Sequence, residues 1–201
     1  HYRLFGWLFP ATERCLNHQQ HHYPKTLLVR ALASTDSRLA ENKPVNPAFL
    51  FAALLWEPLR EQMHHLETEG LEAHMALQEA AERVIQAQIR HTALPRRYSL
   101  PMREIWELQQ RLTVTVGKRS LRLLDHPCFR AGYDFLLLRA EADEQAAALA
   151  DWWTRLLALD SAGRVQATQP ATRAKTGKSR RRRKPRSTRK GDQATQPAPE
   201  A

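Results

Sequence analysis

The sequence predicts an all-α fold: an irregular helical bundle over residues 1–163, followed by a disordered basic tail over residues 164–201. Apolar residues recur at the three- and four-residue spacing of helices, and no two segments alternate as paired strands do. The charge is divided in the same way. Residues 1–163 carry 19 basic and 19 acidic side chains, whereas residues 164–201 carry 12 and two, so the whole excess of +10 lies in the tail.

Length and composition indicate the class of protein. The 201 residues suit one domain with a tail, and 42% apolar residues suffice for a core. No window approaches the roughly 18 consecutive apolar residues of a membrane span, and the N-terminus has no signal peptide. Cys15 and Cys128 do not form a metal-binding motif, so we expect reduced thiols and a cytoplasmic protein. Because the chain begins at His1 rather than Met, we expect further sequence upstream.

The N-terminal residues predict two short helices. Residues 2–9 are apolar on every side, as at the end of a buried helix, and Pro10 stops that helix. Thr12 is a candidate cap for the second helix. His18 and His22 are four residues apart, but no acidic or cysteine partner stands at metal-ligand spacing, so we interpret them as surface histidines.

The next segments predict the centre of the bundle. A helix opens at Pro24, and Asn46 and Pro47 then suit the N-cap and the first position of another. This second helix has almost no polar face, so we expect it to be the central one. A cofactor or lipid pocket is the alternative interpretation of so apolar a segment. Pro58 ends or kinks the helix, and an amphipathic helix follows over residues 71–92.

The stretch 94–139 organises the rest of the chain, because cationic and apolar side chains alternate along it. Arg96 and Arg97 stand between two prolines, and a residue before proline is pushed out of the helical region. We therefore expect this pair on an extended segment. Pro101 then suits the first turn of a helix. That helix carries one apolar stripe, formed by Met102, Ile105, Trp106, Gln109 and Leu112.

Three helical patterns follow the turn formed by Gly117, Lys118 and Arg119. Ser120 is a candidate cap for a short helix that ends at residues 126–127. A second helix carries an apolar stripe from Phe129 to Ala140, and a last one carries Leu149, Trp152, Trp153, Leu156 and Leu157. The Ser-Ala-Gly run at 161–163 is expected to close the folded part.

The tail is predicted to be disordered, because its core K-S-R-R-R-R-K-P-R-S-T-R-K has no apolar residue to bury. Such runs bind polyanions by releasing condensed counterions, whatever the base sequence. Nucleic acid is the favoured partner because the run follows a helical body that is itself rich in arginine. A nuclear-import signal, a membrane-surface patch and a solubility role remain alternatives.

Sequence patterns typical of catalysis are missing. The seven glycines are scattered singly, without a Gly-rich phosphate loop, and neither cysteine has the surroundings of an activated nucleophile. Glu141 and Asp143 form a spaced carboxylate pair of the kind that a metal site would want. They precede a helical pattern, where acidic residues suit the first turn, so we interpret them as capping residues. No catalytic residue and no metal ligand is predicted.

Long motifs of the chain nevertheless resemble a known family. The runs L-P-R-R-Y-S-L-P-M-R-E-I-W-E-L-Q-Q-R-L, G-K-R and H-P-C-F-R-A-G-Y-D-F-L-L-L-R are similar to the C-terminal part of bacterial poly(A) polymerases. These enzymes are class II nucleotidyltransferases related to the CCA-adding enzymes. The runs L-F-G-W-L-F-P, R-A-L-A-S-T-D and F-L-F-A-A-L-L-W-E-P resemble the neck and body of that family. The resemblance covers residues 2–160, and the tail matches in composition.

The resemblance implies a polynucleotide adenylyltransferase, which adds adenylates from ATP to RNA 3′ ends with Mg²⁺ held by an N-terminal head. That head has no counterpart in this sequence. We therefore expect the chain to bind no cofactor itself, to be inactive alone and to hold the single-stranded RNA primer. A stand-alone RNA-binding adaptor remains an alternative, as does a protein-interaction scaffold that docks through its aromatic N-terminal end.

The RNA contacts that the resemblance implies are all basic residues. In the body they are Arg96, Arg97, Arg103, Lys118, Arg119 and Arg130, and in the tail they are Arg180, Arg181, Arg182, Arg183 and Lys184. Tyr98 is a candidate for stacking on a base, whereas the apolar stripe favours a core position for Trp106.

Overall fold

Helices make up the regular structure of the described residues, 4–18, 23–141 and 143–169, in the computed structural model of the chain. The all-α prediction is confirmed, because no strand occurs in these ranges. The predicted tail from residue 170 onward and His22 lie outside them. The helices are α1 (Leu4–Leu8), α2 (Pro10–His18), α3 (Tyr23–Ala40), α4 (Pro47–Leu54), α5 (Trp56–Thr68), α6 (Ala73–Gln88), α7 (Arg96–Arg111), α8 (Lys118–Leu123), α9 (Phe129–Ala140), α10 (Glu144–Ala158) and α11 (Ser161–Ala167).

Helix α4 starts where the sequence predicts a central helix, but it ends at Leu54 and not at the predicted Pro58. The Asn46 side chain accepts a hydrogen bond of 3.0 Å from the backbone N–H of Ala48, and Pro47 occupies the first position, so the predicted cap is confirmed. The chain then bends at Leu55, and α5 begins with Pro58 in its first turn. Residues 52–59 are all buried, which places this bend in the middle of the core.

Helix α7 joins two hydrophobic clusters. It contributes Met102, Ile105 and Trp106 to a cluster built with α3, α4, α5 and α6. Leu108 and the C-cap residue Leu112 belong to a second cluster, built with α8, α9 and α10. Because one helix has its side chains in both clusters, the stretch that organised the sequence also connects the two halves of the core.

Two fully buried tryptophans hold helix ends by hydrogen bonds. The indole N–H of Trp106 donates to the carbonyl of Ala52 at 3.1 Å, and that of Trp153 donates to the carbonyl of Leu112 at 2.9 Å. Both acceptors stand in the last turn or at the cap of a helix, where carbonyl groups lack intrahelical partners. The expectation that Trp106 is a core residue is confirmed.

Helices α7 and α9 approach closely at Gly132. A Cβ atom on this glycine would lie 2.7 Å from Cδ1 and 2.9 Å from Cβ of Leu108, so any larger side chain would push the helices apart. The amide of Gln109 donates to the carbonyl of Gly132 at 3.0 Å across the same contact. The polar member of the predicted apolar stripe is therefore buried and bonded to the neighbouring helix.

Two hydroxyl side chains that were predicted as N-caps have other roles. Thr12 is the third residue of α2 and is buried, where it donates a 2.7 Å hydrogen bond to the carbonyl of Leu54. Ser120 is the third residue of α8 and donates at 2.7 Å to the carbonyl of Gly117. The predictions were wrong because each helix begins two residues earlier, which turns the hydroxyl toward a carbonyl instead of free N–H groups.

The structure also corrects both ends of the predicted body. Helix α1 has no buried residue, and Trp7 is 77% exposed, so residues 4–8 are not the end of a buried helix. At the other end, α11 continues past Gly163, and Asp160 caps it by accepting a 2.8 Å bond from the Gly163 N–H. The backbone N–H of Gly117 donates to the carbonyl of Thr168 at 2.7 Å, which ties the end of α11 to the start of α8.

Replacing Trp106 with alanine should lower the free energy of unfolding by about 3–5 kcal/mol, because it removes a fully buried aromatic side chain and the donor to Ala52. The matched control is Trp7→Ala, which removes the same side chain from an exposed site and should cost less than about 0.5 kcal/mol. Urea unfolding followed by circular dichroism measures both. Equal losses in the two variants would contradict the assigned core.

Candidate nucleic-acid interface

The arginine pair Arg96 and Arg97 opens helix α7 instead of preceding it. Pro95 is the N-cap, with φ −56° and ψ 146°, and Pro101 lies inside the helix. The predicted extended segment and the predicted first-turn place of Pro101 are therefore wrong. A proline inside a helix removes one backbone hydrogen bond. The chain stays helical across Pro101, from Arg96 to Arg111.

The N-terminal end of α7 concentrates positive charge. Arg96 and Arg97 are both exposed, and the first turn contains no acidic residue. The helix dipole adds roughly half a positive charge at the same end. The guanidinium carbon of Arg97 lies 4.8 Å from the centroid of the Tyr98 ring, so one face of the predicted stacking residue is covered by Arg97. This end of the helix is suited to an anion.

Arg103 is the most enclosed of the predicted body contacts. Its side chain is 30% exposed and forms an ion pair with Glu82, which connects α7 to α6. The hydrogen bond from Arg103, followed in effect by one from Gln86, lowers the pKa of the Glu82 carboxyl below its ordinary value. The charge of Arg103 is therefore already balanced within the fold.

Lys118 and Arg119 are exposed in the first turn of α8. Gly117 precedes them with a φ of 85°, a backbone conformation that residues other than glycine rarely adopt. Because the Gly117 N–H is bonded to the carbonyl of Thr168, the turn that presents the two cations is fixed by α11.

Arg130 lies in the first turn of α9 with a side chain that is 80% exposed. Its Nε atom is 3.0 Å from a carboxylate oxygen of Asp134, one turn further along the same helix. An exposed ion pair of this kind contributes only about 0–1 kcal/mol to stability, so Arg130 can leave Asp134 at little cost. Arg130 thus keeps access to an anion from solvent.

The body cations fall into groups at different parts of the fold. Arg96 and Arg97 adjoin the first hydrophobic cluster, at the start of a helix of 16 residues that is about 24 Å long. Lys118, Arg119 and Arg130 lie on α8 and α9, which contribute to the second cluster. The five tail residues, Arg180 to Lys184, lie outside the described residues.

A cavity of about 800 Å³ lies between α5, α6, α7 and the α9–α10 turn, and no sequence pattern predicted it. Trp56, Gln109 and Arg139 line it. Arg139 is held by hydrogen bonds to Gln109 at 3.2 Å and to Asp143 at 3.4 Å, and its guanidinium carbon lies 5.0 Å from the Trp56 ring centroid. The one feature of the sequence that could have indicated this cavity is Gln109, the polar residue in the apolar stripe of α7.

Neither cysteine has the lowered pKa that activates a thiol as a nucleophile. Both are free thiols. Burial, helped by the nearby Glu61 carboxylate, raises the pKa of Cys15 to about 12, and burial also raises the pKa of Cys128. Neither thiol is ionised near neutral pH, so neither is an activated nucleophile.

The carboxylate pair at residues 141 and 143 has structural roles. Asp143 caps α10 by accepting bonds from the N–H groups of Gln145 and Ala146, at 3.0 and 3.2 Å, so its predicted capping role is confirmed. Glu141 is not the cap residue and forms an ion pair with Arg30, so its predicted capping role is wrong. Across ranges 4–18, 23–141 and 143–169, no group of three or more potential ligands could hold a metal ion. No helix in the same ranges has the length and apolarity to cross a bilayer.

Comparison with known proteins identifies the family. Residues 69–188 match the family described as Polymerase A arginine-rich C-terminus. The chain belongs to this family. It is 42% identical over 154 residues to poly(A) polymerase I of Haemophilus influenzae, 40% over 155 to that of Escherichia coli O6:H1, and 37% over 160 to that of Salmonella typhi. These matches cover 76%, 76% and 78% of this chain but 34%, 33% and 34% of the relatives, so the chain spans about a third of their length.

The match to the polymerase A arginine-rich C-terminus family contains the predicted contacts. It begins between α5 and α6 and extends to residue 188, so it includes every residue proposed above from Arg96 to Lys184. Gln109 and Arg139 of the cavity also lie within it, whereas Trp56 precedes it. The resemblance drawn from the motifs of residues 94–139 is therefore confirmed.

The ion pair between Arg103 and Glu82 should be measurable as a structural interaction. A double-mutant cycle of Arg103→Ala and Glu82→Ala should give a coupling of about 0.5–1 kcal/mol at pH 7. Because the folded state lowers the pKa of Glu82, this coupling is present above the ordinary glutamate pKa and is lost as the pH falls through the lowered value. Urea unfolding at pH 7 and pH 3 measures it. A coupling that is absent at pH 7, or undiminished at pH 3, would contradict the pairing.

Proposed function

We propose that the chain is the RNA-holding part of a poly(A) polymerase, which positions the 3′ end of a single-stranded RNA for adenylation. The observation that carries this proposal is the division of charge. A body with 19 basic and 19 acidic side chains precedes a tail with the whole excess of +10, in a chain of the arginine-rich C-terminus family. The relatives are named poly(A) polymerase I, and such an enzyme acts on RNA.

Tail and body have different roles in this proposal. The tail supplies general affinity through counterion release, which does not depend on base sequence. The body positions the RNA, because the helices hold its cations at fixed places. The proposed phosphate contacts with exposed side chains are Arg96, Arg97, Lys118, Arg119 and Arg130. Arg103 is also a proposed contact, but we expect it to contribute least, because Glu82 already balances its charge.

We assign the adenylyl transfer, with its ATP and Mg²⁺, to the part of the relatives that this chain does not span. Such transfer uses metal ions that bridge the nucleotide phosphates. The carboxylate pair at 141 and 143 does not fit that role, because Asp143 caps α10 and Glu141 is paired with Arg30. The proposed setting is the cytoplasm.

Replacing Arg96 and Arg97 together with alanine should weaken binding of short single-stranded RNA and reduce the slope of log affinity against log salt by about 1.4, two contacts at about 0.7 each. The melting temperature should stay within a degree or two or rise slightly, because positive charge at a helix N-terminus opposes the dipole. Fluorescence anisotropy at several salt concentrations and thermal unfolding measure the two effects.

The matched control for the arginine pair is Arg14→Ala with Arg155→Ala. It removes the same charge from two exposed arginines that are paired with Glu61 and Asp151. Its salt slope should equal that of the original chain. If the control loses as much affinity as the Arg96 and Arg97 variant, net charge alone accounts for binding and the assigned placement is wrong.

Deleting residues 171–201 should flatten the salt slope while leaving the body folded. The cut keeps α11 and Arg164, which donates to the carbonyls of Leu156 and Leu157 at 3.3 and 2.9 Å, and removes 11 of the 12 tail cations. A full-length variant with residues 180–184 changed to glutamine controls for length. An unchanged slope in both variants would exclude the tail as the source of affinity.

A further inference from the structure

Helix α1 presents an apolar face to solvent. Leu4, Trp7 and Leu8 recur at the spacing of one helical face, and they are 58%, 77% and 42% exposed. The opposite face of the helix carries Phe5, which packs against the first hydrophobic cluster. Three of the four other tryptophans in the chain are buried, so the exposed indole of Trp7 is an exception that calls for an explanation.

Two hydrogen bonds fix α1 to the connection between α6 and α7. The carbonyl of Leu8 accepts from the side-chain amide of Gln88 at 2.7 Å and from the hydroxyl of Thr92 at 3.0 Å. Gln88 is buried, so the first of these bonds is shielded from water. Trp7 and His91 line the same cleft of about 510 Å³. The exposed indole therefore has a defined place beside this connection.

The connection belongs to a stretch without acidic residues. Residues 83–103 contain five arginines and no aspartate or glutamate. Two of these arginines are paired with glutamates of α6. The other three, Arg90, Arg96 and Arg97, are exposed and form no ion pair within the described part of the chain. Positive charge without a partner therefore stands at the connection that holds α1, and it favours a partner with negative charge.

A row of aromatic rings also joins α1 to the first turn of α7. The ring centroids of Phe5 and Phe9 are 5.7 Å apart, and those of Phe9 and Phe51 are 6.3 Å apart. The row continues to Tyr98, whose ring centroid is 6.4 Å from that of Phe51 and 4.8 Å from the guanidinium carbon of Arg97. Because packed rings connect the two helices, one oligonucleotide can contact both α1 and the arginines of α7.

An RNA base combines with these features better than a protein surface does. An indole stacks on any base, because every base has a π-face, and nearby arginines then neutralise phosphates of the same strand. A stable protein–protein interface needs about 800 Å² and 20–30 residues on each side, which is far more than a helix of five residues offers.

The cleft beside Trp7 suits an uncharged group and not a phosphate. The side chains that line it with Trp7 are polar, and they are Glu13, Asn17 and His91. The Glu13 carboxylate, which lies against Gly6, would repel an anion. We therefore assign the base to the indole and the phosphates to the arginines.

We propose that Trp7 stacks on a base of the bound single-stranded RNA, while Arg90 joins Arg96 and Arg97 in holding phosphates of the same strand. The assignment to RNA rests on the proposed function, because only a chain that holds RNA meets such a base. It adds a stacking residue on α1 and a phosphate contact directly after α6. Stacking releases no condensed counterions, so Trp7 contributes affinity that depends little on salt.

The test measures binding of a labelled twelve-nucleotide oligoadenylate to the 201-residue chain and its variants, by fluorescence anisotropy over a range of salt. Trp7→Ala should weaken binding about tenfold without changing the salt slope. Trp7→Phe keeps an aromatic plane and should retain most of the affinity, whereas Trp7→Leu keeps only apolar surface and should behave like Trp7→Ala. Leu39→Ala is the matched control, because it removes a 59% exposed apolar side chain from α3 and should leave RNA binding unchanged.

Arg90→Ala should change the salt dependence instead. It should reduce the slope of log affinity against log salt by about 0.7, and Arg90→Lys should restore the slope because it restores the charge. Arg83→Ala is the matched control, since Arg83 lies on α6 and is already paired with Glu79 at 2.8 Å. The slope of this control should equal that of the original chain.

Tryptophan fluorescence reports the stack directly. Bound RNA should quench the emission of the exposed indole. This quenching should be lost in Trp7→Phe, although that variant still binds RNA.

Unchanged RNA affinity in Trp7→Ala, or equal affinity of Trp7→Phe and Trp7→Leu, would overturn the stacking site. Self-association of the chain that is lost in Trp7→Ala while RNA affinity stays unchanged, seen by sedimentation, would show a protein contact instead. An unchanged salt slope in Arg90→Ala would contradict the assigned phosphate contact. If the original chain binds no RNA, the proposed function fails; if it binds RNA and the Trp7 variants bind equally well, the stacking site alone is wrong.

Discussion

The described residues form eleven helices, and the C-terminal end of each leaves carbonyl groups without an intrahelical partner. The fold meets this constraint with side-chain donors from distant elements. Trp106 donates to Ala52, Trp153 to Leu112, and Thr12 donates to Leu54 from 42 residues away. Each bond places an end of one helix against the side of another. These bonds join α7 and α2 to the end of α4, and α10 to the end of α7, so they connect helices in both hydrophobic clusters.

In helix α7, different residues pack in the core and carry the positive charge. Its interior residues join the two clusters, whereas Arg96 and Arg97 stand in its first turn and face solvent. The helix holds these two arginines in place, but their side chains are not part of its buried face. A surface of this kind can be altered without disturbing the core, and the core fixes the surface in space.

The chain contains three regions that differ in charge. The body is neutral as a whole, the tail carries the excess of +10, and the cavity beside Arg139 has more carboxylates than cations. These three regions differ in sign and in exposure, so they would favour different chemical groups of a ligand.

The sequence by itself determined the helical class, the Asn46 cap, the core position of Trp106 and the family, because spacing and motifs are local properties. Tertiary structure decided the rest. Periodicity could not show that α7 begins at Arg96 and continues through Pro101, since the local preference of a residue before proline favours an extended segment. Nor could it reveal the cavity, whose walls come from Trp56, Gln109 and Arg139, residues far apart in the chain that only packing brings together.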